Sequence, residues 1–195
     1  MGMMINRRRA YGGSKPYDYE VEYLDSSGTQ YIDTGVGEGY DSTLLNIQCD
    51  FQHLTTSGDY RWVIFDSCDD NSYMGIQRNG VFCYIGGSQN KGVGTITNLK
   101  RTYHFDGYIE GIGNKAYTRN SCTLTNTIRL FGMRSISNCE SCRIWFFRIT
   151  YNNTIVRDLI PVVDKQGVGC MYDKVSKQLF YNQGTGNFIV GPRVS

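Results

Sequence analysis

Three sets of residues in this chain have types and spacing that could do chemistry. Asp18, Glu20 and Glu22 alternate along YDYEVE. Alternate residues of an extended strand share a face, so two of these carboxyls would stand at about the 5–5.5 Å that retaining glycoside hydrolysis requires. Cys139-Glu-Ser-Cys142 is a CxxC, a spacing that serves zinc or redox chemistry when a second ligand pair or a helix start accompanies it. Asp66, Asp69, Asp70 and Asn71 gather hard oxygen donors in the loop DSCDDN, the ligand type calcium prefers.

Each set also has a plainer account. The carboxylates lie beside a glycine-containing leader and suit the charged edge of a sheet. The CxxC runs straight into RIWFFRIT, a strand-forming sequence, and the chain has no second CxxC, so a turn with two reduced thiols explains it. The aspartate loop lacks the glycine and the distal bidentate Glu of an EF-hand, and Asp and Asn are ordinary turn formers. His53 and His104 are the two imidazoles, and neither sits in a Ser or Cys nucleophile motif. The glycine stretches Gly35–Gly39 and Gly184–Gly186 lack the Gly-Lys-Ser/Thr ending of a phosphate loop and read as turns. No catalytic residue and no cofactor is assigned, calcium at Asp66, Asp69 and Asp70 being the one metal to consider.

Sugar binding is a different demand: an aromatic face for the pyranose ring and planar polar groups for its hydroxyls. Tyr60, Trp62, Asn71 and Tyr73, close to the aspartate loop, could meet it, as could Tyr103, Tyr108 and Tyr117. Trp62 and Trp145 would serve equally as core residues.

The elements that must position these groups read as β-strands. Leu45, Ile47, Cys49 and Phe51 alternate with Asn46, Gln48, Asp50 and Gln52, a period of two that predicts a half-buried antiparallel strand. Further strands are expected at 61–66, 74–77, 81–85, 102–108, 116–117, 127–131, 143–151, 155–161, 170–173, 178–181 and 188–190. Asn79-Gly80, Asn152-Asn153 and the segment 173–177 supply tight turns. With 15 Tyr, 9 Phe, 23 Gly and 3 Pro in 195 residues, the chain suits many short strands in one all-β sandwich with little helix.

Charge divides unevenly. Arg7, Arg8, Arg9 and Lys15 carry the first 15 residues without an acid, so the net charge of +2 leaves the remainder slightly acidic. That remainder has no broad basic face for specific nucleic-acid binding. Seven cysteines without a repeated spacing do not form a disulfide framework, and no apolar run reads as a secretory leader or a membrane span. Synthesis in a reducing cytoplasm is the expectation.

Three segments carry a resemblance: YEVEYLDSSGTQYIDTG (19–35), RIWFFRITYNNTIVRDLIP (143–161) and GVGCMYDKVSKQLFYNQGTGNF (167–188). They resemble a family of laminin-G-like jelly rolls, related to concanavalin A, abundant in bacteriophage structural proteins and bacterial surface proteins. The resemblance implies a two-sheet antiparallel jelly-roll sandwich over 19–195, its first and last segments pairing, with residues 1–18 as an extended arm. Some concanavalin-like relatives are glycosidases bearing Glu-x-Asp-x-Glu, an order Asp18, Glu20 and Glu22 do not follow. Many relatives carry calcium on rim loops. Short phage proteins with an Arg-rich leader before such a domain suggest a virion component, perched on other virion proteins as a head fibre, capsid decoration or tail fibre and expected to be a homo-oligomer. In that role Arg7, Arg8 and Arg9 pair with acidic groups of a neighbour, Tyr11, Gly12 and Gly13 let the arm thread along it, and the sandwich faces host-surface glycans. A bacterial surface carbohydrate-binding module is the alternative, with a glycoside hydrolase behind it.

Overall fold

The computed structural model describes residues 14–54, 64–67, 81–85, 88–93, 103–106, 123–131 and 141–195. Its strands are β1 (Tyr17–Glu20), β2 (Leu24–Asp25), β3 (Ile32–Asp33), β4 (Leu45–His53), β5 (Phe65–Asp66), β6 (Val81–Ile85), β7 (Ser88–Val93), β8 (Tyr103–Asp106), β9 (Arg129–Leu130), β10 (Cys142–Tyr151), β11 (Thr154–Asp164), β12 (Gly169–Asp173), β13 (Leu179–Phe180) and β14 (Ile189–Val190). A single 3-10 turn, Ser42–Leu44, is the helical element among the described residues. Every described strand pairing is antiparallel. The chain is therefore all-β, as its turn and aromatic content led us to expect. The strands expected at 74–77 and 116–117, and the Asn79-Gly80 turn, lie outside the described residues.

The alternation in β4 fixes its orientation: Leu45, Ile47, Cys49 and Phe51 are fully buried, and the polar partners face out. β4 lies along the whole of β10, from Cys142 opposite His53 to Tyr151 opposite Leu45. β10 itself breaks step. A bulge between Ile144 and Phe146 shifts the pleat by one residue, so Cys142 and Ile144 before it and Phe147 and Ile149 after it all reach the same core. Without the bulge Phe147 would face solvent.

The β10–β11 hairpin turns on Asn152 and Asn153, both with positive φ (46° and 60°), the geometry that suits the right-handed twist of the strands. Its strands pair only as far as Phe147 opposite Leu159 and then fork. β1 fills the fork against β11, with Glu20 opposite Val162, while β2 fills it against β10, with Leu24 opposite Ile144. Pro161 sits at this opening. Its carbonyl accepts from Val21 N (3.1 Å), so the side on which proline lacks an N–H is the side where β10 has already departed.

A smaller sheet, β3-β9-β5, shares the main core: Phe65 meets Phe147 edge-on at 5.4 Å between ring centres, and Ile32, Leu130 and Phe131 are buried in the same cluster. A second, smaller cluster lies on the other face of the large sheet, where Tyr17, Val162 and Cys170 pack with Ile160, Tyr172 and Leu179.

The C-terminal segment closes the structure on the N-terminal one. Ile189 and Val190 pair with Asp25 and Leu24, Gly191 N donates to Tyr23 O (2.9 Å), Glu22 N to Pro192 O (2.8 Å) and Val194 N to Glu20 O (2.9 Å). First and last segments thus form one antiparallel ladder. The sheet already begins at Tyr17, two residues before the boundary expected from the sequence.

Candidate functional site

At the end of the sheet from which the chain leads back to residue 14, an open groove of about 300 Å³ is lined by Lys15, Tyr17, Asp18, Tyr19, Glu20, Arg193, Val194 and Ser195. The elements around it explain its shape. β1 carries Tyr17 and Glu20, and the returning C-terminal ladder supplies Arg193 to Ser195 as the opposite wall.

Glu20 is its charged centre. Tyr17 donates its hydroxyl to Glu20 Oε1 (2.5 Å), and Lys15 Nζ donates to the same oxygen at 3.0 Å. The Tyr17 hydrogen bond, then that of Lys15, lowers the Glu20 pKa. The Tyr17 hydroxyl first, and then the hydrogen bond to Glu20, raise the Lys15 pKa, whereas burial is the main cause that raises the Tyr17 pKa. Lys15 Nζ also stands 5.1 Å from the Tyr17 ring centre, and Tyr17 packs on Tyr172 at 4.8 Å. On the other wall the Arg193 guanidinium lies 4.8 Å from the Tyr19 ring centre.

A carboxylate held ionised by a cation and a phenol is the opposite of a general acid, which needs a raised pKa. The alternation of carboxyls is also interrupted at its first step. A bulge between Tyr17 and Tyr19 takes Asp18 out of the ladder, leaving it exposed, so Asp18 and Glu20 do not share a face as i, i+2 residues of a regular strand would. What the groove can do is hold: it offers aromatic rings, fixed charges and backbone edges around the root of residues 1–13.

Of the residues singled out in the sequence, Arg7, Arg8, Arg9, Tyr11, Gly12, Gly13, Tyr60, Trp62, Asp69, Asp70, Asn71, Tyr73 and Cys139 lie outside the described residues. Asp66 is described and ends β5, opposite Arg129 and almost completely buried, within the strand expected at 61–66. Cys142 is buried in β10. Cys49 and Cys170 are likewise buried free thiols. Burial raises the pKa of both, that of Cys170 to about 12, which keeps them protonated and unreactive. Among the described residues no group of three or more His, Cys, Asp or Glu could hold a metal ion.

Two constellations escaped the sequence reading. In the first, Arg143 grips Asp25 with two hydrogen bonds (2.7 and 2.9 Å) and lies 3.5 Å from the Tyr23 ring centre, with the bulged Trp145 edge-on to Tyr23 at 5.9 Å. Trp145 is half-buried, not a core residue. Gly191 sits against the same tyrosine, where an added Cβ would stand 2.9 Å from three ring atoms. In the second, the loops 26–31 and 182–187 clasp one another: Thr185 N donates to Thr29 O (3.0 Å) and Gln183 N to Tyr31 O (2.9 Å). Thr29 Oγ1 donates to Thr185 O (3.0 Å), Tyr31 N to Asn182 Oδ1 (3.0 Å) and Gln30 Nε2 to Asn187 O (3.2 Å). The clasp joins the first and third of the resembling segments, whose pairing the resemblance implied, although no residue pattern named the partners.

No family model matches the chain, and comparison with curated proteins and with solved structures gives no match. The class that the geometry defines is an antiparallel β protein of mostly short strands whose terminal segments are laced together.

Proposed function

We propose that this chain is a non-enzymatic structural component of a bacteriophage virion, a laminin-G-like, concanavalin A-like jelly-roll sandwich anchored to other virion proteins through residues 1–18. Its exposed domain would face the host surface and its glycans. In this role Arg7, Arg8 and Arg9 pair with acidic groups on the neighbour.

The observation that carries the reading is the separation of two ends. The chain enters at Tyr17, opposite Asp164, while the β10–β11 turn lies at the far end of β11, an 11-residue strand of roughly 35 Å. The near end is braced by the terminal ladder and the Glu20 ion pair. The far end presents Leu44 and Ile155, 46% and 44% exposed, beside the exposed Asn152 and Asn153. A near end braced by the terminal ladder and a far end that is partly apolar among the described residues suit a molecule that is held on one side and makes contact on the other.

The test is binding of the full chain, and of a chain lacking residues 1–13, which keeps Tyr17 and all of β1, to purified virions or capsid shells, with circular dichroism on both. Attachment of the full chain alone is the expected result. If both fold and neither attaches, the virion reading is wrong, and glycan arrays become the test of the surface-module alternative.

A further inference from the structure

Residues 182–195 are fastened unevenly. Phe188 is the one buried residue among them, and the others are half-buried or exposed. Its ring enters the main core and lies 4.7 Å from that of Phe131, centre to centre. Phe131 itself has φ 67°, a left-handed backbone that a bulky side chain rarely adopts, so this one core contact is made against strain. The described hydrogen bonds from 182–195 to other segments all run to residues 20–31.

Residues 20–31, by contrast, are tied on two sides. Glu22 N donates to Pro192 O, whereas Val21 N donates to Pro161 O (3.1 Å) in β11 and Ser26 N to Cys142 O (2.8 Å) in β10. Lifting 182–195 therefore removes one set of partners and leaves the other, together with the pairing of Leu24 and Asp25 with Ile144 and Arg143. A segment with one buried side chain and many surface hydrogen bonds falls at the low end of local opening free energies, whereas strands in the core open only with the whole.

We propose that residues 182–195 form a strap that opens as one unit while the large sheet stays folded, with Phe188 as its latch. β2 has β10 on one side and β14 on the other, so opening the strap bares one edge of β2 and leaves its other edge paired. The strap is thus a removable cover on a strand edge, the part of a sheet to which further strands add. This device does not depend on the virion reading.

Amide hydrogen exchange of the full chain, followed residue by residue by NMR and corrected for intrinsic rates, tests it. The amides of Gln183, Thr185, Gly191 and Val194 are expected to exchange together with that of Glu22, about 100-fold or more faster than those of β4 and β10. Val21 and Ser26, whose N–H groups point to β11 and β10, stay protected. Phe188→Leu, which shrinks the latch but keeps it apolar, quickens the strap amides and Glu22 about tenfold. Ile47→Val, in the core of β4, quickens the amides of β4 and β10 and leaves the strap amides unchanged, because Ile47 stays packed when the strap is open. The proposal fails if the strap amides exchange at the rate of β4 or at unrelated rates, or if Val21 and Ser26 open with Glu22. It fails equally if Phe188→Leu leaves the strap unchanged or if Ile47→Val quickens the strap as much as β4.

Discussion

Gly184 gives the sharpest quantitative prediction. A Cβ there would lie 2.0 Å from the carbonyl oxygen of Thr29, 3.0 Å from its carbon and 3.2 Å from Gln30 Cα. All three are backbone atoms, so no side chain can swing aside, and the loops must part by about 1 Å to reach even a tight contact. That displacement disrupts Thr185 N to Thr29 O, Gln183 N to Tyr31 O and Thr29 Oγ1 to Thr185 O. At about 1 kcal/mol net for each hydrogen bond, Gly184→Ala costs about 3 kcal/mol, within the range for overpacking a close contact. For a domain of this size that is a fall of about 6–12 °C in Tm. Gly39→Ala is the control, since Gly39 has φ +79° with nothing within 4 Å and costs only the left-handed penalty of about 1–2 kcal/mol. Both are read from urea unfolding monitored by tryptophan fluorescence. A Gly184→Ala chain within about 0.5 kcal/mol of wild type, the size of an ordinary surface change, would show that the clasp is not a close backbone contact.

Arg143→Lys keeps the charge but loses the two-pronged grip on Asp25 and the flat stack on Tyr23, and a loss of about 1–2 kcal/mol in urea unfolding is expected. In the β10–β11 turn, where Asn153 has φ 60°, Asn153→Ala loses about 1 kcal/mol and Asn153→Gly is neutral or mildly stabilising in the same assay. Burial works to raise the pKa of both Asp164 and Asp173, but backbone N–H donors outweigh it, helped by the Tyr181 hydroxyl at Asp164 and by Ser176 at Asp173, and the net shift is downward. Carboxyls depressed in the folded state stabilise it above the unfolded pKa of about 3.9 and lose that contribution as pH falls through their folded values. Urea midpoints should therefore hold at pH 5 and drop below about pH 4, and Asp173→Asn should flatten the drop. Finally, peptides containing Cys49, Cys142 and Cys170 should resist alkylation in the native protein at pH 8 and react once it is unfolded, as mass spectrometry would show.

How far the sequence revealed this structure differed from strand to strand. Leu45 to Phe51 could be placed residue by residue, because a strict period of two admits one buried face. In β10 the same logic finds the strand but not its faces, since RIWFF is apolar enough to bulge at several places and only the packing of Phe147 against Phe65 selects Trp145. The alternation of Asp18 with Glu20 misleads for a related reason: a bulge costs one residue and destroys the parity on which spacing arguments rest. Turns were easier, because Asn152-Asn153 carries its own backbone preference. Arg143 with Asp25, and Gln30 with Asn187, were invisible, because partners more than a hundred residues apart leave no local pattern. The proposed glycan residues Tyr60, Trp62, Asn71 and Tyr73 came from composition, and the geometry that would position them lies outside the described residues.

The terminal ladder has a mechanical meaning if residues 1–18 are a tether. Tension on the tether enters at Ser14 and runs along β1, and ladder hydrogen bonds lie across the strand direction. The pairs of β1 with β11, and those of residues 20–25 with 189–194, therefore share the load in shear and do not open singly. The Glu20 ion pair and the ring of Tyr17 on Tyr172 add resistance at the point of entry, and the forked hairpin passes the force to β10 and β11, the two longest described strands, at the middle of the sheet. A chain anchored instead through the β10–β11 turn would meet one two-residue loop and peel from its tip. The lacing of the two ends is thus the arrangement that a domain pulled from its near end requires.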